Sequence, residues 1–168
     1  MTPDFGETKF AAPDLQVRAA HAKASRIVLA FAASIVLYIA IGIFNISSRP
    51  ATVGATSSPY SFYVGAIFLA LGSIAYRRAQ MRRLRLEAVA ALRGVDGLVR
   101  HFFQVTLVSA SLAELIGILA VVISLMGGEM SDCIRLGIVA LVVELFTYPR
   151  RSAWQQAVAY FAAGSPGQ

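Results

Sequence analysis

The stretch FFQVTLVSASLAELIGILAVVISLM, residues 102–126, holds twenty-five residues and a single charge, Glu114. At about 1.5 Å of rise per residue it is long enough to cross about 30 Å of hydrocarbon. It reads as a membrane-spanning helix with a carboxylate in its middle. Three more runs have the same character. Residues 27–46 carry no charge, 60–76 end abruptly at Arg77-Arg78, and 133–148 contain Arg135 and Glu144 before Pro149 stops the helix. A secretory signal has a shorter apolar region with a small-residue cleavage site close behind it. The run at 27–46 is longer and follows a polar tail, so it is expected to be retained.

Composition agrees with this reading. Hydrophobic residues make up 57% of the 168, charged residues 14%, and the mean hydropathy is +0.66. A soluble domain carries about 25% charged residues, and disorder needs low hydrophobicity with high charge. Both classes are excluded. Cys133 is the only cysteine, which rules out an intramolecular disulfide or a cysteine zinc cluster. The expected fold is all-α: a four-transmembrane-helix bundle over 27–148, a cytoplasmic N-terminal tail at 1–26, and a cytoplasmic interfacial helix and tail at 149–168.

Basic residues set the orientation. Between Arg77 and Arg100 lie seven arginines against Glu87 and Asp96, most of the net charge of +6. Arg18, Lys23 and Arg26 flank the first span, and Arg150-Arg151 follow the fourth. The connection 47–59 has only Arg49, and 127–132 has only Glu129 and Asp132. The positive-inside rule then puts both termini and the 77–101 connection in the cytoplasm. The Ala/Arg-rich composition suits a bacterial cytoplasmic (inner) membrane. Basic clusters beside spans are topology signals, and no zinc, stacking or helix-turn-helix pattern points to nucleic acid. Anionic lipid head groups are the expected partner of Arg77, Arg78, Arg82, Arg83 and Arg85, at about 1 kcal/mol per basic residue near the surface. A docking surface for another subunit is the alternative.

The cytoplasmic pieces read as helices. Segment 77–93 is expected to continue the second span, with Met81, Leu84, Ala88 and Leu92 along one side, until Gly94 and Gly97 break it and Asp96 caps the next helix. Asp14, after Pro13, is a candidate cap for a polar helix reaching Arg26. Ser152 and Gln155 form a capping-box pattern. Trp154, Ala157, Val158 and Phe161 follow at helical spacing, the mark of an amphipathic helix lying in the interface.

Glu114 and Glu144 are the informative residues, because carboxylates at bilayer depth face a bundle interior, a partner or water. Glu114 lies about 18 Å from the cytoplasmic end of its span and Glu144 about 7.5 Å from the edge, so the two are expected to be staggered. Ser109, Ala113, Gly117, Ala120 and Ser124 share one quarter of the third span; Cys133, Gly137, Ala140 and Glu144 share a face of the fourth. Small residues at this spacing let membrane helices approach closely. Two readings stay open. A carboxyl that is neutral toward lipid and ionised toward water can carry a proton. The same group held neutral can serve as structural glue, worth about 0.6–2 kcal/mol.

Ala113-Glu114-Leu115-Ile116-Gly117-Ile118-Leu119-Ala120, with the aliphatic run that follows, resembles the carboxylate-bearing second helix of rotary ATPase proteolipid (c-type) subunits. The resemblance covers residues 60–126, two helices joined on the cytoplasmic side. It implies that Glu114 is an ion-exchanging carboxylate within a ring-forming oligomer. The arginine-rich connection and the two further spans set this chain apart from the usual hairpin.

Other chemistry finds no support. His21 and His101 have no partner at metal spacing, and no metal or cofactor is expected. No span contains a histidine or lysine to activate a nucleophile, so the chain is not expected to be an enzyme. The expected function is a small proton- or ion-handling subunit of a larger membrane complex. The alternative is a non-catalytic accessory or assembly protein whose carboxylates only fix helix packing.

Overall fold

The computed structural model of the chain describes residues 8–48 and 60–163. The regular structure among them is entirely helical: α1 (Thr8–Ser47), α2 (Tyr60–Gln80), α3 (Arg83–Leu125), α4 (Met130–Thr147) and α5 (Arg151–Ala163). The loop read over 47–59 lies outside the described residues from 49 onward, as do the ends of the two expected tails. Helix α3 touches all four other helices, whereas α1 and α2 pack on the α3–α4 pair without meeting each other.

Two helices are long and apolar enough to cross a membrane: α1 from Leu15 to Ser47, and α3. The other two expected spans fall short of that measure for visible reasons. Helix α2 carries tyrosines near both ends and finishes in Arg77-Arg78, and α4 holds Asp132, Arg135 and Glu144 in 18 residues.

The apolar layer packs around small side chains. Ile35 of α1, Ala66 of α2, Ala113, Ile116, Ala120 and Ile123 of α3, and Cys133, Leu136 and Ala140 of α4 form one core. Three glycines set its spacing. A Cβ on Gly42 would lie 2.4 Å from Cys133 Sγ, and one on Gly137 would lie 2.3 Å from Ile39 Cγ1. One on Gly117 would come within 3.1 Å of Ile35 Cγ1. Small residues at such positions let helix backbones approach closely.

At the basic end of the bundle the structure departs from the sequence reading. Helix α1 begins at Thr8 and runs 40 residues, about 60 Å. Position 14 therefore lies inside a helix and not at its start, and the expected tail is in large part an extension of the first expected span. Its Val17 and Ala24 join Leu86, Leu98, Val99, Phe102, Trp154 and Val158 in a second buried core. Trp154 is 3% exposed. It stacks on Phe102 at 5.5 Å between ring centroids and meets His21 edge-on at 5.7 Å. Helix α5 thus turns its apolar face to protein. It starts at Arg151, so Ser152 sits in the first turn and not at the cap.

Helix α2 does not continue through residue 93. It ends at Gln80, and Arg82 is extended (φ −64°, ψ 139°) before α3 begins. His101 Nε2 lies 3.2 Å from the Gln80 carbonyl oxygen, close to this break. The break shifts the helical phase. Leu84 and Leu92 are 80% and 83% exposed, and Leu86 is buried in their place. Gly94 makes the second break, with φ 64° and ψ −163°, a region essentially restricted to glycine.

Thermal unfolding in detergent tests these backbone positions. Gly42→Val should destabilise by about 1–3 kcal/mol through overpacking. Gly94→Ala should cost about 1–3 kcal/mol through backbone strain alone, since no atom lies within 4 Å of its added Cβ. Gly72→Ala, equally open but helical, should leave the midpoint unchanged or raise it.

Candidate functional site

The small faces of α3 and α4 together make a trough that holds α1. Ser109, Ala113, Gly117, Ala120 and Ser124 are all buried, as are Cys133, Gly137, Ala140 and Glu144. Into this trough α1 inserts Ile35 and Tyr38 over Gly117, Ile39 over Gly137, and Gly42 against Cys133 and Ser124. The side chains read from the sequence as a close-packing surface therefore meet one helix, and that helix brings a polar group with it. Tyr38 donates its hydroxyl hydrogen to Glu114 Oε1 at 3.1 Å.

Glu114 is half-buried, at the edge of the trough. Glu144 is 1% exposed, and neither of its carboxylate oxygens has a hydrogen-bond partner among the described residues. Buried polar atoms in folded proteins are nearly always paired, which makes this carboxyl the most unusual group in the bundle. The Ser109 hydroxyl is a second buried oxygen atom without a partner. Ser109 contributes its carbonyl instead, accepting from Ser73 Oγ at 3.3 Å and tying α2 to α3.

The two glutamates are not isolated from one another by stagger. Each lies close enough for the charge of Glu114 to act on Glu144. The reversal between α3 and α4 is tight: Gly127 has φ 93°, and the Gly128 amide donates to the Ile123 carbonyl at 2.9 Å. Counting from this turn, and not from the charged ends of the spans, sets the two carboxylates near one level.

A second tyrosine–carboxylate pair sits closer to the α3–α4 turn, and the sequence reading missed it. Tyr63 of α2 donates to Asp132 Oδ1 at 2.6 Å, and Asp132 is only 8% exposed. Arg135 is exposed and lies beside the same hydroxyl. The available signal was a tyrosine within an apolar run, whose hydroxyl needs a partner once buried. Tyr38 and Tyr63 both carry that signal.

The five arginines expected to face head groups do not behave alike. Arg78, Arg82 and Arg85 are exposed. Arg83 forms an ion pair with Glu87 at 2.7 Å, bonds the Tyr160 hydroxyl and lies over the Tyr160 ring at 5.3 Å, which fastens α3 to α5. Arg77 donates from Nη1 to the Phe146 carbonyl at 3.2 Å. His21 Nε2 is 2.9 Å from the Pro149 carbonyl oxygen, linking α1 to the α4–α5 joint. Among the described residues no three His, Cys, Asp or Glu side chains are grouped to hold a metal ion. Comparison with protein-family models, with curated proteins and with solved structures finds no match.

Two substitutions separate the tyrosine pairs. Tyr38→Phe should cost about 0.5–1.5 kcal/mol, because half-exposed Glu114 can be rehydrated. Tyr63→Phe strands a buried acceptor and should cost more, about 1–3 kcal/mol. Thermal unfolding of the two variants in one detergent gives the order.

Proposed function

We propose that this chain is a small multi-pass membrane protein, working within an oligomer or larger membrane complex, in which the Glu114–Glu144 pair exchanges a proton. The observation that carries the reading is Glu144, sealed from solvent with both oxygens unpartnered and with Glu114 within electrostatic reach. A carboxyl kept only as glue gains its stabilisation through a hydrogen bond across helices, and Glu144 makes none. Like charges brought close disfavour double ionisation, so neighbouring carboxyls can share a proton. Such a pair can accept a proton at the open member, Glu114, and hold it at the closed one. The Tyr38 hydroxyl orients the open member. The resemblance of residues 60–126 to proteolipid hairpins supports the same assignment for Glu114.

The membrane part of the proposal extends to four spans. Helices α1 to α4 all turn large apolar side chains outward, among them Leu37 and Phe44, Ile67 and Phe68, Leu115 and Ile118, and Val142 and Leu145. Surfaces this apolar on every outer helix suit lipid contact. The positive-inside rule supports a topology with both termini and the 77–101 connection on the cytoplasmic side of an inner membrane.

A second reading is favoured by the Tyr38–Glu114 bond: an accessory or assembly protein in which Glu114 fixes α1 against α3. Labelling with a hydrophobic carbodiimide, read by peptide mass, decides between them, because only protonated carboxyls react. Proton exchange predicts labelling at Glu114 or Glu144 that falls steeply as pH rises between about 5 and 9. Slow labelling that is flat across this range leaves only the packing role. Under the packing role Glu114→Gln keeps the Tyr38 bond and the native melting temperature, and it has no effect on proton uptake.

A further inference from the structure

A cavity of about 500 Å³ lies between the cytoplasmic end of α2 and helix α5, two helices that make no close backbone approach. It has two kinds of wall. One side is apolar, formed by Phe102 and Trp154, 2% and 3% exposed respectively, with Ala157 beside them. The other side carries Arg77 and Arg150. The mouth is bounded by Leu145 and Phe146 of α4, which are 73% and 56% exposed on the side of that helix turned away from the bundle.

Among the described residues no carboxylate pairs with Arg77 or Arg150, and the acid nearest in sequence to Arg150, Glu144, is buried without polar partners. Burial, together with the neighbouring charge of Arg150, pushes the Arg77 guanidinium below its ordinary value. Two like charges at one cavity repel, and an anion between them would remove the repulsion. Paired guanidinium groups suit a phosphate, whose oxygens accept several charge-assisted hydrogen bonds.

The volume says what else the occupant must have. At about 30 Å³ per water the space equals on the order of fifteen waters, far more than a phosphate ion fills, and much of its lining is aromatic or aliphatic. The occupant is an amphiphile with an anionic head and a hydrocarbon body. Basic pockets between helices at the cytoplasmic face of a membrane are suited to such head groups.

We propose that this cavity binds an anionic phospholipid of the cytoplasmic leaflet, with the head-group phosphate between Arg77 and Arg150 and the first part of an acyl chain against Phe102 and Trp154. The site rests on the membrane reading and is independent of the carboxylate pair, so carbodiimide labelling and lipid binding fail separately. It differs from general attraction of the arginine-rich connection to a charged surface, because it is saturable and specific to Arg77 and Arg150.

Trp154 is the only tryptophan in the chain and lines the cavity, which makes its fluorescence the reporter. Full-length protein in neutral detergent is titrated with phosphatidylglycerol or phosphatidylcholine carrying brominated acyl chains, which quench tryptophan on contact. Phosphatidylglycerol should quench saturably and with an affinity about tenfold higher than phosphatidylcholine, a difference set by two basic contacts. The Arg77→Gln/Arg150→Gln double variant should bring phosphatidylglycerol down to the phosphatidylcholine level. Ala157→Leu keeps both arginines but fills the cavity, and should reduce quenching by either lipid; it carries the test if the double variant does not fold. Millimolar inorganic phosphate should leave quenching intact. Equal quenching by the two lipids, an undiminished preference in the double variant, or displacement by free phosphate each overturns the proposal.

Discussion

The bundle depends on how closely α1 can approach the α3–α4 hairpin. In the proposed membrane setting, lipid solvates leucine as well as another helix does, so hydrophobic burial gives little drive for these helices to associate. What remains is contact at short range, and Gly42, Gly117 and Gly137 permit it by leaving room for Cys133, Ile35 and Ile39. The polar arrangement around α1 follows from this fit. Tyr38 reaches Glu114 because Gly117 lets that turn of α1 settle on α3. Glu144 is sealed because the trough that holds α1 continues along the face formed by Gly137 and Ala140.

Much of this was legible in the sequence, because small residues recurring every four positions mark a face at any depth. Ser109, Ala113, Gly117, Ala120 and Ser124 stand out on α3 without knowledge of what covers them. What the spacing cannot say is which helix comes to that face. The partner, α1, is almost uniformly apolar between Ile27 and Phe44, so no face of it is singled out by polarity. Its polar signals are the hydroxyls of Ser34, which bonds back to the Ala30 carbonyl, and of Tyr38, and its one glycine there is Gly42.

The basic half was less legible, for a physical reason. Reading a membrane chain by hydropathy ends a helix where charge begins, since charges leave hydrocarbon. Helix α1 shows that a helix has no reason to stop there. Its backbone hydrogen bonds continue through Arg26, Lys23 and Arg18, and Val17 and Ala24 find a core beyond the apolar span. The same habit misplaced the glutamates. Depth measured from the charged ends put Glu144 shallow and Glu114 deep, whereas the hairpin registers from Gly127 and Gly128. The exposed Leu84 and Leu92 have a related origin: a single extended residue, Arg82, resets the helical phase, and no periodicity carried across it can be correct.

The second core changes what the arginines mean. Had α5 lain flat in the interface, Arg150 and the arginines after α2 would form one diffuse basic belt, each contributing to surface attraction in the same way. With Trp154 turned inward onto Phe102 and His21 beside the Pro149 carbonyl, α5 is fixed to the ends of α1 and α3. Its separation from α2 is then fixed as well. That separation is the cavity, and Arg77 and Arg150 line it while Arg83 is committed to Glu87 and Tyr160. A charge cluster that looked uniform along the chain is therefore divided by the fold into a fastening, an exposed set and a facing pair. Only the facing pair combines unneutralised charge with an apolar volume behind it, the combination that separates a binding site from a solvated surface.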